Sequence, residues 1–306
     1  MTSYLKAVRE QRPNLADMPD SDIFELMGIT YDGVPTIAGV MTFSRYPQAY
    51  FPQLSVTAVA VPGTQIGDEG PEGERFIDNV RITGAIPEML SMAEEFVRRN
   101  SRTKTVIDAE GKRADRLEYP VKAIREAILN MLLHRDYSIY TENIPASVEM
   151  YRDRIVFRNS GGLTGGASID SLGKSRPETR NAALSNMLEL LHLTENRYSG
   201  IPTMFRELRE AGMPLPEFSV KHGEFSVTFR NVIFEAETRP AKAGDMPRAI
   251  LNFCRTPRSR EELTEFTGKS RYYTMAKLVQ PLIEEGRLKR TIPEKLKSAH
   301  QRFVSV

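Results

Sequence analysis

Apolar residues recur along the 306-residue chain with two different periods, and the period changes several times. Near the start, Ile23, Phe24, Leu26 and Met27 follow the Pro19 break at helical spacing, so residues 1–30 read as a polar, helical segment. Two β-branched stretches bounded by Pro or Gly come next, Thr36–Phe43 and Leu54–Val61, and both are expected as strands. Residues 62–75 are rich in Gly, Pro and acidic side chains, the composition of an exposed loop. From Ile86 to Arg98 the apolar positions Met89, Leu90, Ala93, Phe96 and Val97 predict an amphipathic helix.

The middle of the chain mixes both periods. Val121–Arg135, introduced by Pro120, reads as a helix, and Ala146–Tyr151 and Arg154–Arg158 alternate as strands around an Arg152-Asp153 turn. Helices over Asn181–Leu193 and Pro202–Ala211 and a strand over Glu224–Arg230 follow. Interleaved helices and antiparallel strands predict an α+β layer and not a doubly wound parallel sheet. Glu235–Pro247 is polar and Pro-containing, as a linker is.

Beyond the linker the pattern is compact. Met246–Cys254 reads as a helix, and Ser259–Phe266 as a second, with Ser259 as N-cap and Glu262 completing a capping box. Gly268 supplies a tight turn into Ser270–Glu285, a longer helix expected to kink late at Pro281. Gly286 stops it, and Leu288–Ile292 and Arg302–Val306 can pair as a hairpin. That order is a winged helix–turn–helix. Ser270, Arg271, Tyr272, Tyr273 and Lys277 then face outward on the recognition helix, with Lys295 and Lys297 at the hairpin tip. The same module also serves protein contact or dimerisation. The expected organisation is an N-terminal segment 1–30, a body 31–234, a linker 235–247 and the winged module 248–306.

Composition narrows the setting. Hydrophobic residues make up 40% and charged residues 27%, ordinary globular usage that argues against disorder. The single cysteine, Cys254, cannot form an internal disulfide. No apolar run approaches the roughly 18 residues of a membrane span, and the N-terminus lacks the apolar stretch of a signal peptide. A soluble cytoplasmic protein without a membrane partner is expected. The net charge of +2 conceals an asymmetry: residues 245–306 hold 13 Lys+Arg against 7 Asp+Glu, residues 1–244 hold 29 against 33. A basic end on a mildly acidic body suits double-stranded DNA as a partner, although a solvated basic domain has the same charge.

Candidate chemistry concentrates in the middle. Glu126, Asn130 and His134 are spaced by four, on one stripe of an otherwise apolar helix. Buried there, they need partners: either a structural hydrogen-bond network, or a pocket in which Glu126 orients a water and Asn130 offers an oxygen to a hard cation. Arg158 to Gly166 places four glycines within six residues, a loop able to approach a ligand or simply to turn. Ser199-Gly200-Ile201 precedes a helix whose N-terminus can meet an anion. Leu172-Gly173-Lys174-Ser175 and Thr267-Gly268-Lys269-Ser270 end like a P-loop, but Ser168 and Leu263 stand where its first glycine belongs. His134-Arg135-Asp136 copies a kinase triplet without the following Asn or Asp-Phe-Gly, and the four His and one Cys lack zinc spacing.

Taken in order, Pro35-Thr36-Ile37-Ala38-Gly39, Tyr119 to Asn130, His134 to Ser138, Asp153-Arg154-Ile155, Asn159 to Leu163, Arg180-Asn181 and Ser199 to Pro202 resemble bacterial proteins called RecG-related ATP-dependent helicases or transcriptional regulators. The resemblance covers most of residues 30–230 and reaches the C-terminal module. It implies a divergent GHKL (Bergerat-like) α/β sandwich with an ATP-binding region at about 115–232, followed by the winged helix–turn–helix. It implies ATP and Mg²⁺ as cofactors, Glu126 as the base that orients the hydrolytic water, and Asn130 as the metal ligand. By the same resemblance Asn159 stands where an adenine-reading Asp belongs, Gly161 matches the first glycine of that loop, Gly162 lies beside it, and Leu163 replaces the second glycine. Gly200 matches a remnant of the later glycine-rich lid, where Tyr198 replaces a usual glycine. An amide lacks the carboxylate's charge and the short lid encloses phosphates poorly, so nucleotide binding is expected to be weak or lost. Helicase activity is not expected, since a Walker A loop and helicase-sized motor domains are missing. Family members usually begin with a Schlafen-AlbA-like domain without counterpart here, which makes the chain a fragment or a shortened member. The function expected is DNA-binding transcription regulation with a degenerate ATP site, in a homo-oligomer. A slow Mg-dependent ATPase and a non-catalytic dimerisation scaffold are the alternatives.

Overall fold

The computed structural model describes residues 1–107, 113–174, 178–194, 199–231, 246–294, 298 and 301–306, with the backbone alone for 104–107, 113–116 and 248. The chain divides into two compact units, Met1–Asn231 and Val232–Val306.

Unit 1 is built on a six-stranded mixed sheet. Its strands are β3 (Val56–Ala60), β4 (Asp78–Ile82), β7 (Ala146–Met150), β8 (Arg154–Ser160), β9 (Glu217–Lys221) and β10 (Glu224–Arg230), in the order β4-β3-β7-β8-β10-β9. Only β3 and β7 pair in parallel, Val56 opposite Ala146; the other neighbours are antiparallel. One face carries the core, because the alternating residues Val56, Ala58, Val148, Ile155, Phe157, Val227 and Phe229 are all buried. Helices α4 (Ile86–Asn100), α5 (Val121–Leu133) and α7 (Gly200–Glu210) close over it. Their apolar stripes bury Phe96 from α4, Ile128 from α5, and Met204 and Leu208 from α7. Two short hairpins, β1 (Thr30–Tyr31) with β2 (Val34–Pro35) and β5 (Thr103–Ile107) with β6 (Arg113–Leu117), lie outside this sheet.

The N-terminal helices α1 (Thr2–Gln11) and α2 (Asp20–Leu26) do not stand apart from the body. Tyr4, Leu5, Val8 and Ile23 form a second buried cluster with Met187 and Leu190 of α6 (Ala182–Leu190). The expected strand Thr36–Phe43 is instead a helix, α3 (Ile37–Phe43). Thr36 caps it by accepting from the Gly39 N–H and donating to the Gly28 carbonyl at 2.7 Å. A Cβ on Gly39 would lie 2.3 Å from the Ile29 carbonyl oxygen, so the helix packs directly on preceding backbone. Capping and packing here outweigh the β-branched composition.

Unit 2 contains α8 (Met246–Phe253), β11 (Arg258–Ser259), α9 (Arg260–Thr267), β12 (Leu288–Arg290) and β13 (Arg302–Ser305), the strands in the order β11-β13-β12. Ser259 and Glu262 form the capping box of α9, and Gly268 ends it in the left-handed region at φ 61°. The next helix, α10, runs through Arg271–Tyr273, Thr274–Val279 and Gln280–Glu284, and its middle stretch is π-helical. Where a kink at Pro281 was expected, the helix widens just ahead of it. Pro281 has no N–H for the Lys277 carbonyl, and a wider turn relieves the clash of its ring with that group. Ile250, Cys254, Leu263, Val279, Leu282 and Phe303 fill the unit's core, with Phe253 stacked on Phe266 at 4.1 Å. The expected linker lies almost wholly outside the described residues. Among those described, no helix is long and apolar enough to cross a membrane.

Candidate functional site

Eight of the 13 residues of α5 are buried, and the strip that leaves the core is where Glu126 and Asn130 stand. Asn130 Nδ2 donates to the Glu126 carbonyl at 2.8 Å, one turn back, which leaves Oδ1 as its outward acceptor. The start of α7 sits on this pair. A Cβ on Gly200 would come within 2.8 Å of Asn130 Nδ2 and 2.9 Å of Glu126 Oε2, so no larger residue fits without moving one of them.

The end of β8 forms the opposite wall. Asn159 is buried and donates through Nδ2 to the Ser160 carbonyl at 3.1 Å. Gly161 follows at φ 103°, and a Cβ there would lie 3.0 Å from Asp136 Cβ and 3.2 Å from Asp136 N. Two backbone bonds hold this corner: Asp136 N–H to the Ser160 carbonyl and Gly161 N–H to the Gly223 carbonyl, both 2.8 Å.

Arg180 and Asn181 join the two walls. Arg180 Nη2 donates to the Gly162 carbonyl at 2.8 Å, and its guanidinium stands 3.9 Å from the Asp136 carboxylate. Asn181 Nδ2 donates to the carbonyls of Leu133 and Arg135, at 2.7 and 2.8 Å. These carbonyls, left over at the end of α5, thereby find partners.

Between the walls is a cavity of about 160 Å³. Glu126, Asn130, Asn159, Gly161, Gly162 and Gly200 all line it. Leu129, Leu133, Met204, Phe218, Phe225 and Val227 give it an apolar side. Glu178, Arg180 and His134 line it too. Burial, and after it the nearby Arg180 charge, hold the His134 pKa below the usual histidine value. Among the described residues no three His, Cys, Asp or Glu side chains cluster as a metal site.

Arg135, which the sequence reading passed over as part of a false kinase triplet, is fully buried. It donates to three carbonyls, those of Ser55 at 3.3 Å, Gln53 at 3.1 Å and Ile144 at 2.5 Å. Burial pushes its pKa down. Its role is structural: it ties the approaches to β3 and β7 to the end of α5. The signal for it was its place between Leu132-Leu133 and Tyr137, a buried residue on each side. His134 belongs to the Glu126 stripe and Arg180-Asn181 to the resemblance already described, but their partners, like the phenylalanine wall, enter only through tertiary contact.

In unit 2, Ser270 caps α10 by accepting from the Tyr273 N–H at 3.3 Å. Ser270, Arg271, Tyr272, Tyr273 and Lys277 are all exposed. Arg271 is 3.4 Å from Glu261, across the turn. Lys295 and Lys297 lie outside the described residues, as does Tyr198.

The family model described as "Putative ATP-dependent DNA helicase recG C-terminal" matches residues 145–229. That segment runs from β7 to β10 and includes Asn159, Gly161, Gly162 and Gly200, while Glu126 and Asn130 precede it. Among curated proteins none matches. Among solved structures, the DIP2311 protein from Corynebacterium diphtheriae is similar, with a TM-score of 0.54 and 18% identity over 94% of this chain and 57% of that one. The chain therefore spans little more than half the length of that structure, and the likeness is one of fold. Residues 145–229 are thus similar to a RecG-related ATPase-type region, within a mixed α+β architecture.

Proposed function

We propose that unit 1 binds an adenine nucleotide in the cavity between α5, α7 and the end of β8. The observation that carries this is convergence: Glu126, Asn130, Asn159, Gly161, Gly162 and Gly200, drawn from three separate parts of the chain, line one cavity. The match of residues 145–229 to an ATPase-type family supports the same reading.

The residues present fit such a ligand at both ends. The apolar side suits a flat base, and Asn159 offers a polar contact at its edge. As an amide, Asn159 accepts a hydrogen bond from an exocyclic amine without a carboxylate's charge, which makes the contact weaker. At the other end Gly200 leaves a cradle that a Cβ would fill. The Glu126 carboxylate and the Asn130 amide oxygen are the hard oxygen donors that Mg²⁺ takes. Asn130 would hold the ion, and Glu126 would orient a water beside it. ATP, when bound, supplies the phosphoanhydride; binding does not require that it be cleaved.

Calorimetry with ATP and Mg²⁺ tests this. Heat is expected for the wild type and is lost in Asn130→Ala. Flat titrations of folded wild type at millimolar nucleotide would remove the ligand. Phosphate release that Glu126→Gln abolishes would extend the reading to a slow ATPase.

We also infer that unit 2 is a winged helix–turn–helix that contacts double-stranded DNA. The exposure of Arg271, Tyr272, Tyr273 and Lys277 at the start of α10, after the Gly268 turn, favours it. Full-length protein titrated against a random duplex pool at low salt is expected to bind. Arg271→Ala should relax preference at one or two positions, and removing Lys295 and Lys297 should lower the salt slope by about two contacts. Absence of binding at low salt would make unit 2 a protein-contact module.

A further inference from the structure

The cavity holds a polar group that the nucleotide reading has not used. His134 lines it at the C-terminal end of α5. Its backbone N–H bonds to Asn130, but among the described residues neither ring nitrogen has a hydrogen-bond partner, and neither is sealed from solvent. Gln48, buried in the same unit, and Asn181, which joins the cavity's walls, are by contrast both satisfied by protein carbonyls. An imidazole left open toward a cavity is available to whatever fills it.

Its position relative to Asn159 is fixed by backbone. Asp136 N–H bonds to the Ser160 carbonyl at 2.8 Å, two residues beyond His134 and one beyond Asn159. Asn159 commits Nδ2 to the Ser160 carbonyl, so Oδ1 remains to accept. The Arg180 guanidinium, which also lines the cavity, is already engaged by the Gly162 carbonyl and Asp136. The other charged cavity residues described, Glu126 and Glu178, carry carboxylates. Phe218 and Phe225, 6.1 Å apart with rings inclined by 27°, supply apolar surface nearby.

We infer that His134 is a second base-reading residue: with Asn159 it hydrogen-bonds the polar edge of a 6-aminopurine held in the cavity. Asn159 Oδ1 accepts from the exocyclic amine, and the imidazole, in the tautomer with its N–H toward the base, donates to the adjoining unprotonated ring nitrogen. Two such contacts give discrimination against a 6-oxopurine, whose carbonyl would face Asn159 Oδ1 and leave both oxygens without a donor. This rests on the nucleotide reading but goes beyond it, since it assigns selectivity to a residue outside the Glu126, Asn130 and glycine set.

The test uses full-length protein, with adenosine and guanosine as probes so that phosphate contacts do not contribute. Wild type is expected to prefer adenosine, and His134→Phe, which keeps the ring volume, to bind it about 10-fold more weakly, the usual loss for one hydrogen bond. In wild type labelled with ¹⁵N-histidine, one of the four histidines should shift its ring nitrogens on adding adenosine, and that signal should be missing in the variant. A purely structural His134 would not give a ligand-dependent ring shift. Should His134→Phe fail to fold, the wild-type ring shift decides alone. If wild type binds adenosine while the variant binds equally well, or no ring nitrogen responds, His134 does not read the base and the nucleotide reading stands. If wild type binds neither adenosine nor ATP, both fall.

Discussion

Three of the four glycines that line the cavity, Gly161, Gly162 and Gly200, stand in three different situations, and replacing each with alanine separates fold from site. At Gly200 the new Cβ would be 2.8 Å from Asn130 Nδ2 and 2.9 Å from Glu126 Oε2, whereas ordinary contact begins near 3.4 Å. Asn130 is held by its 2.8 Å bond to the Glu126 carbonyl. Losing that bond costs about 1 kcal/mol. Retreat of α7 would instead loosen the fully buried Met204 and Leu208, which costs more. Against this, Ala in place of Gly at the first helical position regains roughly 0.4–1 kcal/mol of unfolded-chain entropy. Stability is therefore nearly unchanged, within about 2–4 °C in Tm, while the Glu126/Asn130 pair is displaced. Nucleotide affinity should fall at least about 10-fold, the equivalent of 1.4 kcal/mol. At Gly162, with an ordinary φ, a Cβ would meet only Val220 Cγ1 at 3.5 Å, so Gly162→Ala should leave Tm unchanged and lower affinity less than Gly200→Ala does. At Gly161 the φ of 103° and the 3.0 Å approach to Asp136 Cβ strain any side chain, so Gly161→Ala should cost about 1–3 kcal/mol of stability. Thermal unfolding and calorimetry on the three variants measure this directly. Gly200→Ala with full affinity, or Gly162→Ala as damaging as Gly200→Ala, would refute the reasoning.

Other expectations follow from buried groups. Arg135→Ala strands the Gln53 and Ile144 carbonyls, leaves Ser55 only its bond from the Ala146 N–H, and should cost about 3 kcal/mol or more, seen as a drop of roughly 6–12 °C in the Tm of unit 1. His134 has a lowered pKa in the folded protein, so the unfolded chain binds its proton first on acidification. Its contribution is complete above the unfolded value of about 6.5 and declines as pH falls below it; Tm measured from pH 7.5 to 5 should fall less steeply in His134→Gln. Cys254 is buried, with its thiol pushed up to about 12, so native protein should resist alkylation at pH 8 and react only on unfolding. Rapid labelling under native conditions would contradict its burial.

Local pattern by itself determined the elements whose causes are local. The apolar stripe of α5, the Ser259/Glu262 capping box, the left-handed Gly268 and the β8–β10 alternation are each specified by residues within a few positions of one another. Spacing alone also singled out Glu126 and Asn130, because residues four apart share a helix face whatever surrounds them. The tertiary structure decided what depends on distant chain. Thr36–Phe43 has strand-like composition, yet Thr36, anchored to the Gly28 carbonyl, caps it and the Ile29 backbone seats it as a helix. The N-terminal helices look independent in sequence, but their apolar residues are completed by Met187 and Leu190, more than 150 positions away. Local spacing gives Arg135, Arg180 and Asn181 no role until the fold supplies backbone carbonyls from other segments as their partners. Burying a guanidinium or an amide is favourable only where such acceptors are already in place. That condition belongs to the packed chain, so no local window could reveal which polar residues bind the cavity's walls together.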